Sequence, residues 1–103
     1  MFPVSASLLD AMVLALVEKE DTYGYKITQE IQDAVKVSES TLYPVLRRLQ
    51  KNGALITFDR AFDGRNRRYY QITELGKAML IQYRKDWKEH KTQIDSILKE
   101  EFS

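Results

Sequence analysis

The apolar residues of this chain change their spacing twice, and that change restricts the fold more than any other feature. Up to Asn52 they recur at helical intervals. From Leu55 to Arg60, and again from Arg67 to Ile72, the pattern has the two-residue period of a strand. After Thr73 the helical interval returns. A chain of 103 residues that reads this way is one compact unit, mainly α with a small β-hairpin.

Ser5 to Lys19 reads as a first helix. Leu8, Leu9, Met12, Val13, Leu14, Leu16 and Val17 cover most of its circumference, so it needs burial on several sides. In so small a domain a second subunit is expected to supply part of it. Asp21 or Thr22 is expected to cap a second helix, Tyr23 to Ala34, with Tyr23, Ile27 and Ile31 inward. After a break at Val35 to Val37, Ser38 caps a third helix, Glu39 to Asn52, whose core stripe is Leu42, Val45, Leu46 and Leu49. Gly53 suits a left-handed C-terminal cap. Ala61 to Asn66 is expected to turn at Asp63-Gly64. Thr73 then caps a long last helix reaching about Glu100.

Leu80, Tyr83, Trp87, His90, Ile94 and Ile97 follow a 3-4-3-4-3 spacing on that helix. This is a heptad seam for packing against another helix. With Leu8, Leu9 and Met12 it defines the expected homodimer interface. Residues 1–73 are expected to bind the partner molecule and residues 74–103 to dimerise.

Composition removes several classes of function. There is no cysteine and one histidine, so disulfides, thiol nucleophiles and multi-histidine zinc sites are excluded, and no cofactor is expected. Asp86, Glu89 and Asp95 lie on a solvated helix face and do not converge, which argues against an enzyme. The first residues lack the pattern of a signal peptide, and the longest apolar run, Ala11 to Val17, is far short of a membrane span. A cytoplasmic protein without membrane contact is the expectation.

The net charge of +1 hides an uneven distribution. Arg47, Arg48, Lys51, Arg60, Arg65, Arg67 and Arg68 fall between Tyr43 and Thr73, against only Asp59 and Asp63. Such a basic face suits phosphate. Two helices, a turn, a third helix and a hairpin form the winged helix-turn-helix plan, in which the third helix enters the major groove of double-stranded DNA. With the core stripe inward, Ser40, Thr41, Tyr43, Pro44 and Arg47 lie outward, and Arg47 can reach a guanine edge in bidentate fashion. Ser38 and Ser40 suit phosphate oxygens, Arg48 and Lys51 suit the DNA backbone, and Tyr23 is a further candidate contact. Pro44 inside an apolar-striped helix is tolerable only near the first turn, so something other than helix stability favours Tyr43-Pro44. Arg65, Arg67 and Arg68 at the hairpin tip repel one another and suit phosphate as planar forks.

The segments Thr22-Tyr23-Gly24-Tyr25, Ser40-Thr41-Leu42-Tyr43-Pro44-Val45-Leu46-Arg47-Arg48-Leu49 and Gly64-Arg65-Asn66-Arg67-Arg68-Tyr69-Tyr70-Gln71-Ile72-Thr73 together resemble the PadR family, in order and over nearly the whole chain. The resemblance implies a dimeric repressor that binds a palindromic operator through the third helix and wing and dimerises through the last helix. The single C-terminal helix resembles the shorter subgroup, which includes multidrug-sensing repressors. In those, a tryptophan 14 residues after the terminal threonine of the hairpin stacks on flat aromatic ligands between subunits, and Thr73 and Trp87 have that spacing here. Trp87 either does the same or fills the interface core. Lys91, one turn beyond it, favours an anionic or neutral aromatic effector. His90 on the same seam is either a pH switch or a tolerated wet position. A ligand-independent DNA-binding module and a protein-interaction winged helix are the alternative functions.

Overall fold

The computed structural model describes residues 2–100. The last three residues of the expected 74–103 unit lie outside the described residues.

Helix α1 spans Ala6–Lys19, and the Ser5 hydroxyl caps it by accepting from the Leu8 amide at 3.2 Å. Helix α2, Gly24–Ala34, starts one residue later than its periodicity suggests. Neither Asp21 nor Thr22 caps it; its cap position is Tyr23, which makes no side-chain cap bond. Instead Thr22–Tyr23 forms a short strand, β1. Two residues are too few to show a period, so only a later partner strand reveals them as sheet. Helix α3, Glu39–Lys51, is capped as expected by Ser38, whose hydroxyl accepts from the Thr41 amide at 3.3 Å. Gly53 follows with a φ of 83°, and the Ala54 amide donates back to the Leu49 carbonyl.

Strands β2, Leu55–Phe62, and β3, Arg65–Ile72, are longer than the alternation alone indicates. They pair from Leu55 opposite Ile72 to Phe62 opposite Arg65, leaving Asp63 and Gly64 as a two-residue turn. Both turn residues have positive φ, 52° and 78°, the type I′ geometry that matches strand twist. Strand β1 adds to the other edge of β3, with Thr22 opposite Tyr70 and Tyr23 opposite Tyr69. The sheet therefore has three antiparallel strands in the order β1-β3-β2.

Helix α4 runs Glu74–Leu98. Its cap, Thr73, also fastens it to the end of α3: the hydroxyl lies 2.6 Å from the Gly53 carbonyl and 3.0 Å from the Gly76 amide that it accepts from. The core is one cluster drawn from α1, α2, α3, the start of β2 and the first half of α4. Leu14, Ile27, Ile31, Leu42, Leu46, Leu49, Leu55 and Leu80 are fully enclosed in it.

Two seam positions are corrected by this packing. Leu9 was expected at a subunit interface but is buried in the chain's own core, as is Leu80. The first half of α4 lies on α1 within one chain. Only beyond it does the seam become free: Trp87 is 47% exposed and Ile97 85%, and within the described residues no position from Arg84 onward is buried.

Candidate nucleic-acid interface

Helix α3 buries Leu42, Val45, Leu46 and Leu49, so its geometry forces Ser40, Thr41, Tyr43, Pro44, Arg47 and Lys51 outward, and all six are exposed. Because the helix begins at Glu39, Pro44 falls in its second turn and not near the first. Lacking an N–H, Pro44 cannot donate to the Ser40 carbonyl. The hydroxyls of Ser38, Ser40 and Thr41 cluster at the N-terminus, with Ser38 Oγ 2.9 Å from Ser40 Oγ and 3.0 Å from Thr41 Oγ1. Ser38 is committed to this cap, which leaves Ser40 as the freer phosphate donor of the pair.

Tyr70 on β3 joins the third helix to the wing. Burial pushes its phenol above the ordinary value, the positive charges of Arg68 and Arg47 pull it down, and Tyr43 raises it further. Arg68 shares the Tyr70 face of β3 two residues away, and Arg47 lies one turn beyond Tyr43 on the outer face of α3. The Tyr43 and Tyr70 rings meet beside Gly24: a Cβ there would be in ordinary contact with the first at 3.4 Å and the second at 4.0 Å.

The other arginines are arranged differently from the sequence expectation. Successive strand residues point to opposite faces, so Arg67 faces away from Arg68. It is stacked between Tyr23 and Phe62, 4.1 and 4.0 Å from the two ring centroids. Tyr23, read as a DNA contact, supports this stack and packs edge-on against Tyr69. Arg60 repeats the motif over Tyr69 at 4.4 Å and Phe58 at 5.5 Å. These cation–π contacts stiffen the wing. Arg65, two residues from Arg67, shares its face; Arg68, exposed, is the wing cation on the Tyr70 face of β3.

Arg48 is a further correction. Expected on the DNA backbone, its Nη2 instead pairs with Asp10 Oδ1 of α1. Asp10 is only 8% exposed, and its other oxygen accepts from the Tyr83 hydroxyl of α4 at 3.2 Å. The signal for this cluster was a single acid inside the apolar face of the first helix, since a buried carboxylate needs partners. Burial, then the charge of Asp10 and the hydrogen bond to it, raise the Tyr83 phenol above its ordinary value, so it stays protonated and donates at neutral pH. The folded chain therefore holds this proton more tightly than the unfolded chain. Its contribution to stability is full below the unfolded value of about 10 and declines as pH rises above it. Urea midpoints of the native protein should fall more steeply above about pH 10 than those of Tyr83→Phe, and parallel curves would contradict this.

Beside this cluster an open apolar groove of about 820 Å³ runs between α1 and α4. Leu8, Met12, Tyr83, Trp87, His90 and Ile94 line it, with Arg84, Lys91 and Asp95 at its edges. The Trp87 and His90 rings lie 6.2 Å apart. Among the described residues no helix is long and apolar enough to cross a membrane.

The sequence profile of the Transcriptional regulator PadR-like family matches residues 13–82, which includes α2, α3 and the whole wing. The chain belongs to the PadR-like family. A crystal structure from this fold group, smu.1704 of Streptococcus mutans, is 43% identical and superposes with a TM-score of 0.89 over 94% of this chain and 92% of its own. A PadR-like transcriptional regulator of Bacillus cereus is 29% identical, with a TM-score of 0.82 over 91% and 94% of the two chains. Transcriptional regulator Rv3488 of Mycobacterium tuberculosis is 41% identical over 63% of this chain and 62% of its own length. PadR-like proteins are transcriptional regulators, and the four helices and three-stranded wing seen here are their fold.

Proposed function

We propose that this PadR-like chain is a homodimeric, cytoplasmic transcriptional repressor with no enzymatic activity. Its α3 enters the major groove of a palindromic operator, and its wing grips the flanking phosphates. The observation that carries the reading is that the Tyr43 ring of α3 and the Tyr70 ring of the wing both border Gly24, with Arg47 one turn from Tyr43 on α3 and Arg68 on the Tyr70 face of β3. Arg47 reads a base edge; Ser40, Thr41, Tyr43, Pro44 and Lys51 complete the helix face; Arg68 holds phosphate on the same side. Residues 1–73 bind DNA, and the helix within 74–103 dimerises. Met12, Trp87, His90, Ile94 and Ile97 offer the free apolar seam, since each is at least partly exposed.

A flat aromatic molecule, neutral or anionic, is the effector. Trp87 and His90 supply ring faces in the groove, and Arg84 and Lys91 supply positive charge at its edge.

Selection of bound duplexes from a random pool tests the reading. The native protein should enrich inverted repeats whose half-sites lie about one helical turn, roughly 34 Å, apart. Arg47→Ala should change which bases are enriched. A pool that stays random after repeated selection would defeat the repressor proposal.

A further inference from the structure

Strand β2 is an outer strand of the sheet, and among the described residues its backbone bonds only to β3. The two-residue turn closes on Phe62 and Arg65, so these form a hydrogen-bonded pair, and such pairs alternate along the ladder. Phe58 and Arg60 therefore bond to β3, whereas Asp59 and Ala61 turn their N–H and C=O groups toward the unpaired edge. The side chains of Phe58, Arg60 and Phe62 share one face with Tyr69 and Arg67. Stacking over Tyr69 fixes the plane of the Arg60 guanidinium and leaves its edge donors free. Among the described residues neither Arg60 nor Arg67 pairs with a carboxylate. The two stand directly opposite each other across the ladder. Like charges so placed are destabilising, and an anion brought to this face relieves that.

We propose that the free edge of β2 docks an extended acidic segment of another protein, which adds to the sheet as a further strand. Its backbone bonds to Asp59 and Ala61. The residue opposite Arg60 is an acid, held by the edge of the guanidinium. The residues two places before and two places after that acid are apolar and lie beside Phe58 and Phe62. The outward carbonyls of β2 need N–H donors, which a peptide supplies and a nucleic-acid phosphate lacks. Phe62, 49% exposed, and the partly exposed Phe58 flank Arg60 with apolar surface that suits side chains and not a phosphate chain. A second β2 is a poor occupant, since two such edges paired about Arg60 set like charges against each other. The surface assigned to DNA uses the Tyr70 face of the wing, so DNA and this segment occupy different faces.

A displayed library of random dodecapeptides is the probe. Selection on the native protein should enrich sequences in which an acid has an apolar residue two places before it and another two places after it. An enriched peptide, labelled with fluorescein, is then titrated against the native protein and two variants by fluorescence anisotropy. Arg60→Gln removes the charge and should weaken the peptide about tenfold. Ala61→Pro removes an outward N–H and blocks strand addition, and should weaken it at least as much. Proline is tolerated where the N–H faces away from the ladder, so the hairpin should survive; were it not to, Arg60→Gln carries the test alone. Both variants should keep the circular dichroism spectrum, the solution mass and the duplex affinity of the native protein. Enrichment of no common pattern, or of one without the acid, would overturn the proposal. So would peptide affinity that neither folded variant lowers. A reduced salt slope of duplex binding in Arg60→Gln would give this face to nucleic acid, and a reduced solution mass of Ala61→Pro would give the edge to a second copy. Either result overturns the assignment to another protein.

Discussion

Gly76→Ala should come close to unfolding the protein. A Cβ at residue 76 would lie 2.3 Å from the Ala54 carbonyl oxygen and 2.7 Å from Ile72 Cγ1. The carbonyl cannot retreat freely, because it accepts from the Thr73 amide and the Thr73 hydroxyl, both at 3.1 Å. Moving it would loosen the cap of α4 and the link between α3, β2 and α4 together. Overpacking of this kind costs about 3 kcal/mol or more, a large share of the roughly 5–15 kcal/mol that holds a domain folded. For a chain of this size that is a drop in Tm of at least about 12 °C. Gly64→Ala is the contrast: nothing lies within 4 Å of its Cβ position, and only the positive φ of 78° opposes it, so it should cost about 1 kcal/mol. Thermal and urea unfolding of the two variants would check the ranking. A Gly76→Ala midpoint within a few degrees of the native one would mean that α4 does not press on the end of α3.

Arg47→Ala combined with Arg68→Ala should give the largest loss of DNA affinity available from two surface substitutions. Both side chains are exposed, so folding should be spared. One lies on the recognition helix and the other on the Tyr70 face of the wing. Arg68 holds phosphate, so its loss should lower the slope of log affinity against log salt by about 0.9, and loss of the Arg47 base contact adds to the fall in affinity. Arg68→Ala alone should weaken all sequences alike. Arg60→Ala should leave the salt slope nearly unchanged, because its guanidinium is stacked over Tyr69. Titrations at several salt concentrations measure these slopes directly. An unchanged slope in the double variant would place the DNA elsewhere on the protein.

The contrast between Arg68 and Arg67 shows where sequence reading reaches its limit. Both are cations of the same hairpin, and their types and spacing made them look equivalent. The strand pleat separates them, and aromatic rings hold Arg67 on the far side. The same happened on α3, where adjacent Arg47 and Arg48 look alike in sequence. One turns outward, and the other meets a carboxylate 38 positions earlier. Strand β1 was invisible for a related reason: Thr22 and Tyr23 become sheet only because Tyr69 and Tyr70 pass beside them.

Helix periods, the caps Ser38 and Thr73, the Asp63-Gly64 turn and the clustering of basic residues were legible in the chain. All of them depend on interactions within a few residues, which a linear pattern records faithfully. The partners of Asp10, the stacking of Arg67, the enclosure of Leu9 and the groove beside Trp87 depend on residues far apart in the chain. Those contacts came into being when the helices closed on one another, since burial and pairing are properties of a packed surface and carry no local spacing.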